Sequence, residues 1–79
     1  MSLLQNRRVK IVKLKILTKR EYEVFSLLTE NYTTKDIAFN LKISEKTVRN
    51  HISNVIQKLG VTGRSQAIIE LIKINEINL

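Results

Sequence analysis

From Leu17 onward, apolar side chains recur three or four positions apart, the spacing that lines one face of a helix. The pattern restarts several times along the chain. Thr18 opens a first helix, and Glu21, three residues on, completes a capping box: the hydroxyl accepts from a free backbone N–H and the carboxylate reaches back. Leu17 and Tyr22 occupy the flanking staple positions, Val24, Phe25 and Leu28 form the inward face, and Asn31 is the expected end. Thr33 caps a short second helix, with Asp36 in its first turn at the positive end of the dipole and Ile37, Ala38 and Leu41 on its apolar side. The connection "LKIS" leaves only two residues, Lys42 and Ile43, between Leu41 and the next cap, Ser44. Helices joined so tightly cross steeply, as in a helix-turn-helix. Ala38 is small where the two approach, and Ile43 plugs the gap and staples onto Val48. Lys42 stands where many such turns place glycine, which is tolerable provided it need not adopt a left-handed backbone.

The third helix carries two stripes. Val48, Ile52, Val55, Ile56 and Leu59 face the core, while Lys46, Arg49, Asn50, Ser53 and Gln57 recur about half a turn away, up to the left-handed cap expected at Gly60. A fourth helix runs from about Arg64 to Ile74. It is apolar on more than one side, with Ala67, Ile68 and Leu71 on one stripe and Ile69 and Ile72 on another, more than a single core contact needs. Residues 1–16 are different: Val12 to Ile16 alternate with Lys13 and Lys15 as in a strand, yet Val9, Val12 and Ile16 also fit a helical stripe. Three roles suit that segment: a mobile solvated arm, a basic arm lying on nucleic acid, or a membrane-surface anchor. The last is disfavoured by the segment's shortness and its lack of Trp and Phe.

Seventy-nine residues limit the chain to one domain with little room for a deep catalytic pocket. Proline is absent and glycine occurs only at 60 and 63, favouring an all-helical fold. Without cysteine there is neither a disulfide framework nor a thiolate metal site, in keeping with a cytoplasmic protein. No apolar run reaches the roughly 18 residues of a membrane span, and the basic N-terminus makes a poor signal peptide. The net charge of +7 is concentrated: residues 1–20 hold seven basic side chains and no acid, and the remainder is neutral. Between 31 and 64 the balance is again positive, with Lys35, Lys42, Lys46, Arg49, Lys58 and Arg64 against Asp36 and Glu45. Such basicity calls for an anionic partner.

Catalysis finds no support. His51, the only histidine, has no acid at a spacing that would orient it as a base, and Ser44, Ser53 and Ser65 lack a neighbouring base. Asp36 and Glu45 are first-turn acids, and neither a phosphate loop nor a metal-ligand cluster is present, so no cofactor or metal is expected. The polar stripe of the third helix is either an ordinary solvated face or a reading head. As a reading head it suits the major groove: Arg49 can bridge two acceptors of guanine, Asn50 can pair with adenine, and Ser53 can reach either. Lys46, Thr47 and His51 flank the stripe at positions suited to phosphates.

"LTKREYEVFSLL", "TTKDIAFNLKISEKTVRNHISNVIQKLGV" and "GRSQAIIELI" together resemble the LuxR/FixJ family of bacterial transcription regulators over roughly residues 17–75. Within that family the likeness is nearest to single-domain members acting in sporulation. The resemblance implies a four-helix, wingless helix-turn-helix domain over 17–79 that binds double-stranded DNA and regulates transcription as a homodimer. Arg49, Asn50 and Ser53 would read bases, and Lys35, Ser44, Lys46, Thr47, His51 and Lys58 would hold the backbone. Ile69 and Ile72, with Lys73 and Glu76 beside them, would form the dimer contact. RNA polymerase is a further implied partner; a membrane, a small-molecule ligand and an enzymatic activity are not. Most members carry a receiver or ligand-binding domain ahead of this one, for which residues 1–16 are too short. The same residues are longer and more basic than the resemblance accounts for. A helical module that touches polymerase or another regulator without reading bases is the alternative.

Overall fold

The computed structural model describes residues 16–77, in which four helices follow one another: α1 (Lys19–Thr29), α2 (Thr34–Leu41), α3 (Glu45–Leu59) and α4 (Arg64–Lys73). Among the described residues there is no strand. The arm expected over residues 1–16 lies outside them apart from Ile16. Each of the first three helices starts where a side chain satisfies a free amide. Thr18 Oγ1 accepts from the Glu21 amide at 3.1 Å, and Glu21 Oε1 accepts from the Thr18 amide at 3.0 Å, closing the expected box. Thr33 and Asp36 close a second box, at 3.0 and 3.3 Å, where the sequence pointed only to a cap and a dipole contact. Ser44 Oγ accepts from the Thr47 amide at 3.0 Å and donates to the Thr47 hydroxyl at 2.9 Å.

The turn between α2 and α3 does require a left-handed residue. Lys42 has φ 60° and ψ 44°, and its amide and that of Ile43 both return to the Ala38 carbonyl. A lysine there costs about 1–2 kcal/mol against the ordinary helical conformation, so the turn is held by its surroundings, not by local preference. Ile37 and Ala38 on one side and Val48 on the other are buried and fix the crossing. Gly60, at φ 69°, ends α3 as expected, and Asn31 adopts φ 68° between α1 and α2.

The central helix is α3, which packs against α1, α2 and α4. Val24, Phe25, Ile37, Val48, Val55, Ala67 and Leu71 are fully buried around it. One core residue lies beyond the expected pattern. After α4, Asn75 turns at φ 63°, the Glu76 amide bonds back to the Leu71 carbonyl at 2.9 Å, and Ile77 is carried into the core with 2% exposure. At the two staple positions, Leu17 is buried and Tyr22 is 48% exposed. No helix among the described residues is long and apolar enough to cross a membrane.

Candidate nucleic-acid interface

The polar stripe of α3 stands clear of the protein. Lys46, Arg49, Asn50, Ser53 and Gln57 are all exposed, while Val48, Ile52 and Val55 on the opposite side are buried. At about 100° per residue, Arg49, Asn50 and Ser53 span roughly a quarter of the helix circumference. That is one face of one cylinder, narrow enough to enter a major groove. The α3 N-terminus is capped by Ser44 and leads this face, with Thr47 at its edge and Lys35 exposed near the start of α2. A duplex laid against α3 therefore meets donors and cations first, together with the positive end of a helix dipole.

Two of the side chains expected at this surface are engaged within the protein. Arg49 Nη1 lies 3.5 Å from Glu45 Oε1, one turn earlier on α3. Lys58 Nζ donates to Glu21 Oε1 at 2.5 Å and to the Ile16 carbonyl at 3.0 Å. Glu21 is 4% exposed and serves both its own helix cap and this ion pair. Its burial pushes the carboxyl pKa up, but the Lys58 hydrogen bond, the Thr18 amide, and the charges of Lys58 and His51 outweigh that, leaving it below the ordinary value. Lys58 thus has a structural task that spacing did not disclose. The signal was present, since Glu21 sits on the inward side of α1 and a buried carboxylate requires a cation. His51, half-buried, lies on the same flank of α3.

The residues expected at a dimer contact separate as well. Ile69 is 56% exposed and Lys73 is exposed, whereas Ile72 is half-buried and packs partly on the protein's own core. Glu76 Oε1 accepts from the Leu17 amide at 3.4 Å, tying the chain after α4 to the start of the domain. Phe39, on α2, is 88% exposed and was not singled out by its spacing. No group of three or more His, Cys, Asp and Glu among the described residues is placed to hold a metal.

A tight pair of helices whose second member bares a stripe of Arg, Asn and Ser beside its capped N-terminus is a DNA-binding helix-turn-helix module. The family described as bacterial regulatory proteins of the luxR family matches residues 15–71. The spore germination protein GerE of Bacillus subtilis (strain 168) is 66% identical over 64 residues, which cover 81% of this chain and 86% of that protein. The transcriptional regulatory protein DegU of Brevibacillus brevis is 53% identical over 60 residues, 76% of this chain but only 25% of that longer protein. Among solved structures, the transcription factor GerE superposes with a TM-score of 0.77 at 68% identity, over 78% of this chain and 92% of that one. The response regulator ChrA of a heme-sensing two-component system superposes with a TM-score of 0.74 at 32% identity, over 84% of this chain and 33% of that one. The chain belongs to the LuxR family of bacterial regulatory proteins and is a DNA-binding transcription regulator.

Proposed function

We propose that the protein is a GerE-like regulator of sporulation-stage transcription that reads DNA through α3 and works as a cytoplasmic homodimer paired through α4. The observation that carries the reading is the α3 stripe: Arg49, Asn50 and Ser53 are exposed, on the part of the helix turned away from the packed Val48, Ile52 and Val55. Arg49 takes two acceptors of a guanine, Asn50 the paired donor and acceptor of an adenine, and Ser53 a neighbouring edge. Lys35, Ser44, Lys46, Thr47 and His51 hold the phosphates on either side. Lys58 belongs to the same backbone set through its position, and reaches a phosphate only by sharing or leaving Glu21. The sporulation role is supported by the extent of identity to the spore germination protein, which runs over nearly the whole of that chain.

A two-fold dimer reads two related half-sites, most simply about one helical turn, or about 34 Å, apart. The exposed Ile69 supports pairing through α4. RNA polymerase is the protein partner a promoter-bound regulator would meet, and Phe39, the most exposed of the large apolar side chains among the described residues, is suited to a protein contact. Selection of bound duplexes from a random pool tests the reading: it should enrich paired half-sites. The Arg49→Ala protein should then lose about 1–3 kcal/mol on the enriched duplex and relax its preference at one base pair per half-site. Equal weakening on every duplex would remove Arg49 from the bases.

A further inference from the structure

We infer that Glu45 is a specificity-positioning residue of the DNA-reading face: its carboxylate holds the Arg49 guanidinium in the orientation that meets a base edge. This rests on the assignment of Arg49 to base reading. Glu45 is the first residue of α3 and Arg49 lies one helical turn later on the same side, so the two side chains are neighbours by geometry. The observed separation is 3.5 Å, from Glu45 Oε1 to Arg49 Nη1. Glu45 is also the one acid in α3, beside a surface whose other charged groups, Lys46 and Arg49, are cationic.

An acid at this place has an apparent disadvantage. It faces the polyanion that the surrounding cations attract, and lowers the affinity for any duplex. Its compensation is directional. A guanidinium has five N–H donors in a fixed fork. Guanine uses two of them, so a carboxylate can keep one while the base takes the pair. An unheld arginine samples many rotamers, and selecting one for the base costs side-chain entropy. Glu45 restricts that sampling before contact. As the groove closes over the pair and excludes water, their attraction strengthens. Glu45 therefore trades overall affinity for discrimination, weakening contact with any DNA while sharpening preference at the base pair beneath Arg49.

The helix does not depend on Glu45 for its cap, which is formed by Ser44 and Thr47, so substitutions here leave the fold intact. The test measures the intact chain and its Glu45→Ala, Glu45→Gln, Arg49→Ala and Glu45→Ala/Arg49→Ala forms on the duplex enriched from the random pool. Each is also measured on every single-base-pair variant of one half-site and on a scrambled duplex, at one salt concentration. Glu45→Ala should bind the scrambled duplex at least as well as the parent. It should lose about two- to fivefold in preference at the Arg49 base pair, the range open to a solvent-exposed pair. Glu45→Gln, which keeps the size but not the charge, should lose part of that preference. In the Arg49→Ala background, Glu45→Ala should change no preference at that base pair. Equal gains on all duplexes would reduce Glu45 to a repulsive charge and overturn the inference. A drop in preference that persists without Arg49 would overturn it too, by making Glu45 a direct reader. If Arg49→Ala alone relaxes no base pair, the base-reading assignment itself fails and the role of Glu45 falls with it; if Arg49→Ala relaxes one and Glu45→Ala does not, only the inference fails.

Discussion

At the scale of single residues, Glu21 shows how one side chain can satisfy several demands at once. Its backbone amide and carboxylate form half of the α1 capping box, and the same carboxylate oxygen receives Lys58 from α3. A buried carboxylate is tolerable only when charged groups and donors replace the water it has given up, and here they hold its pKa below the ordinary value despite burial. A group whose pKa is lowered on folding contributes stability that is complete above its unfolded pKa and disappears as the pH falls through the folded one. The stability difference between the parent and Glu21→Gln should therefore be full at neutral pH. It should shrink as the pH falls below about 4.3, the unperturbed glutamate value. Urea titrations across that range check it; a difference that stays constant to low pH would mean that the ionised form is not what matters. Half of this arrangement was legible in the chain. The Thr18–Glu21 box is local and follows from spacing, whereas the Lys58 contact joins positions 37 apart in sequence and exists only once α1 and α3 have packed.

At the scale of elements, helix positions and caps followed from periodicity, while the details that depend on packing did not. The turn after α2 illustrates the difference. Its length was readable, but the left-handed backbone of Lys42 is imposed by the burial of Ile37, Ala38 and Val48 on either side. Lys42→Gly should therefore stabilise the domain by about 0.5–1 kcal/mol, the relief of the left-handed penalty less the extra freedom glycine has when unfolded. Equilibrium urea unfolding measures this, and a decrease in stability would show that the lysine side chain contributes more than its backbone costs. The second stripe of α4 was also visible in sequence, but not the way it divides. Ile72 is partly claimed by the core and Ile69 is the exposed member, so Ile69→Lys is the cleaner probe of pairing. It should leave the melting transition of the folded protein in place while sedimentation shows a monomer; a surviving dimer would move the pairing surface away from α4. Ile77 escaped the pattern because it lies past the last helix, and a turn at Asn75, not periodicity, brings it inward.

At the scale of the whole molecule, charge is distributed along the chain unevenly. Residues 1–15 carry Arg7, Arg8, Lys10, Lys13 and Lys15 without a single acid. Ile16, where that segment meets the folded domain, is held by Lys58 on a flank of α3 next to the reading face. A helix in a major groove presents its flanks to the phosphate strands, so we propose that the basic segment adds sequence-independent binding to the reading done by α3. Removing residues 1–15 should lower the salt dependence of DNA binding by up to about 4.5 units per protomer, near 0.9 for each phosphate no longer neutralised, with base preference unchanged. An unaltered slope would take the segment off the DNA. The way the segment is moored has a mechanical consequence. The Ile16 carbonyl is hooked to α3 through Lys58, and the Leu17 amide to the chain beyond α4 through Glu76. Tension arriving from the N-terminal side is thus shared among the far end of α3, the chain behind α4 and, through the Lys58–Glu21 pair, the first turn of α1. A load attached upstream would therefore reach α1, the helix that reads the DNA and the chain beyond α4 together, through three hydrogen bonds spaced within six residues of the start of the folded domain.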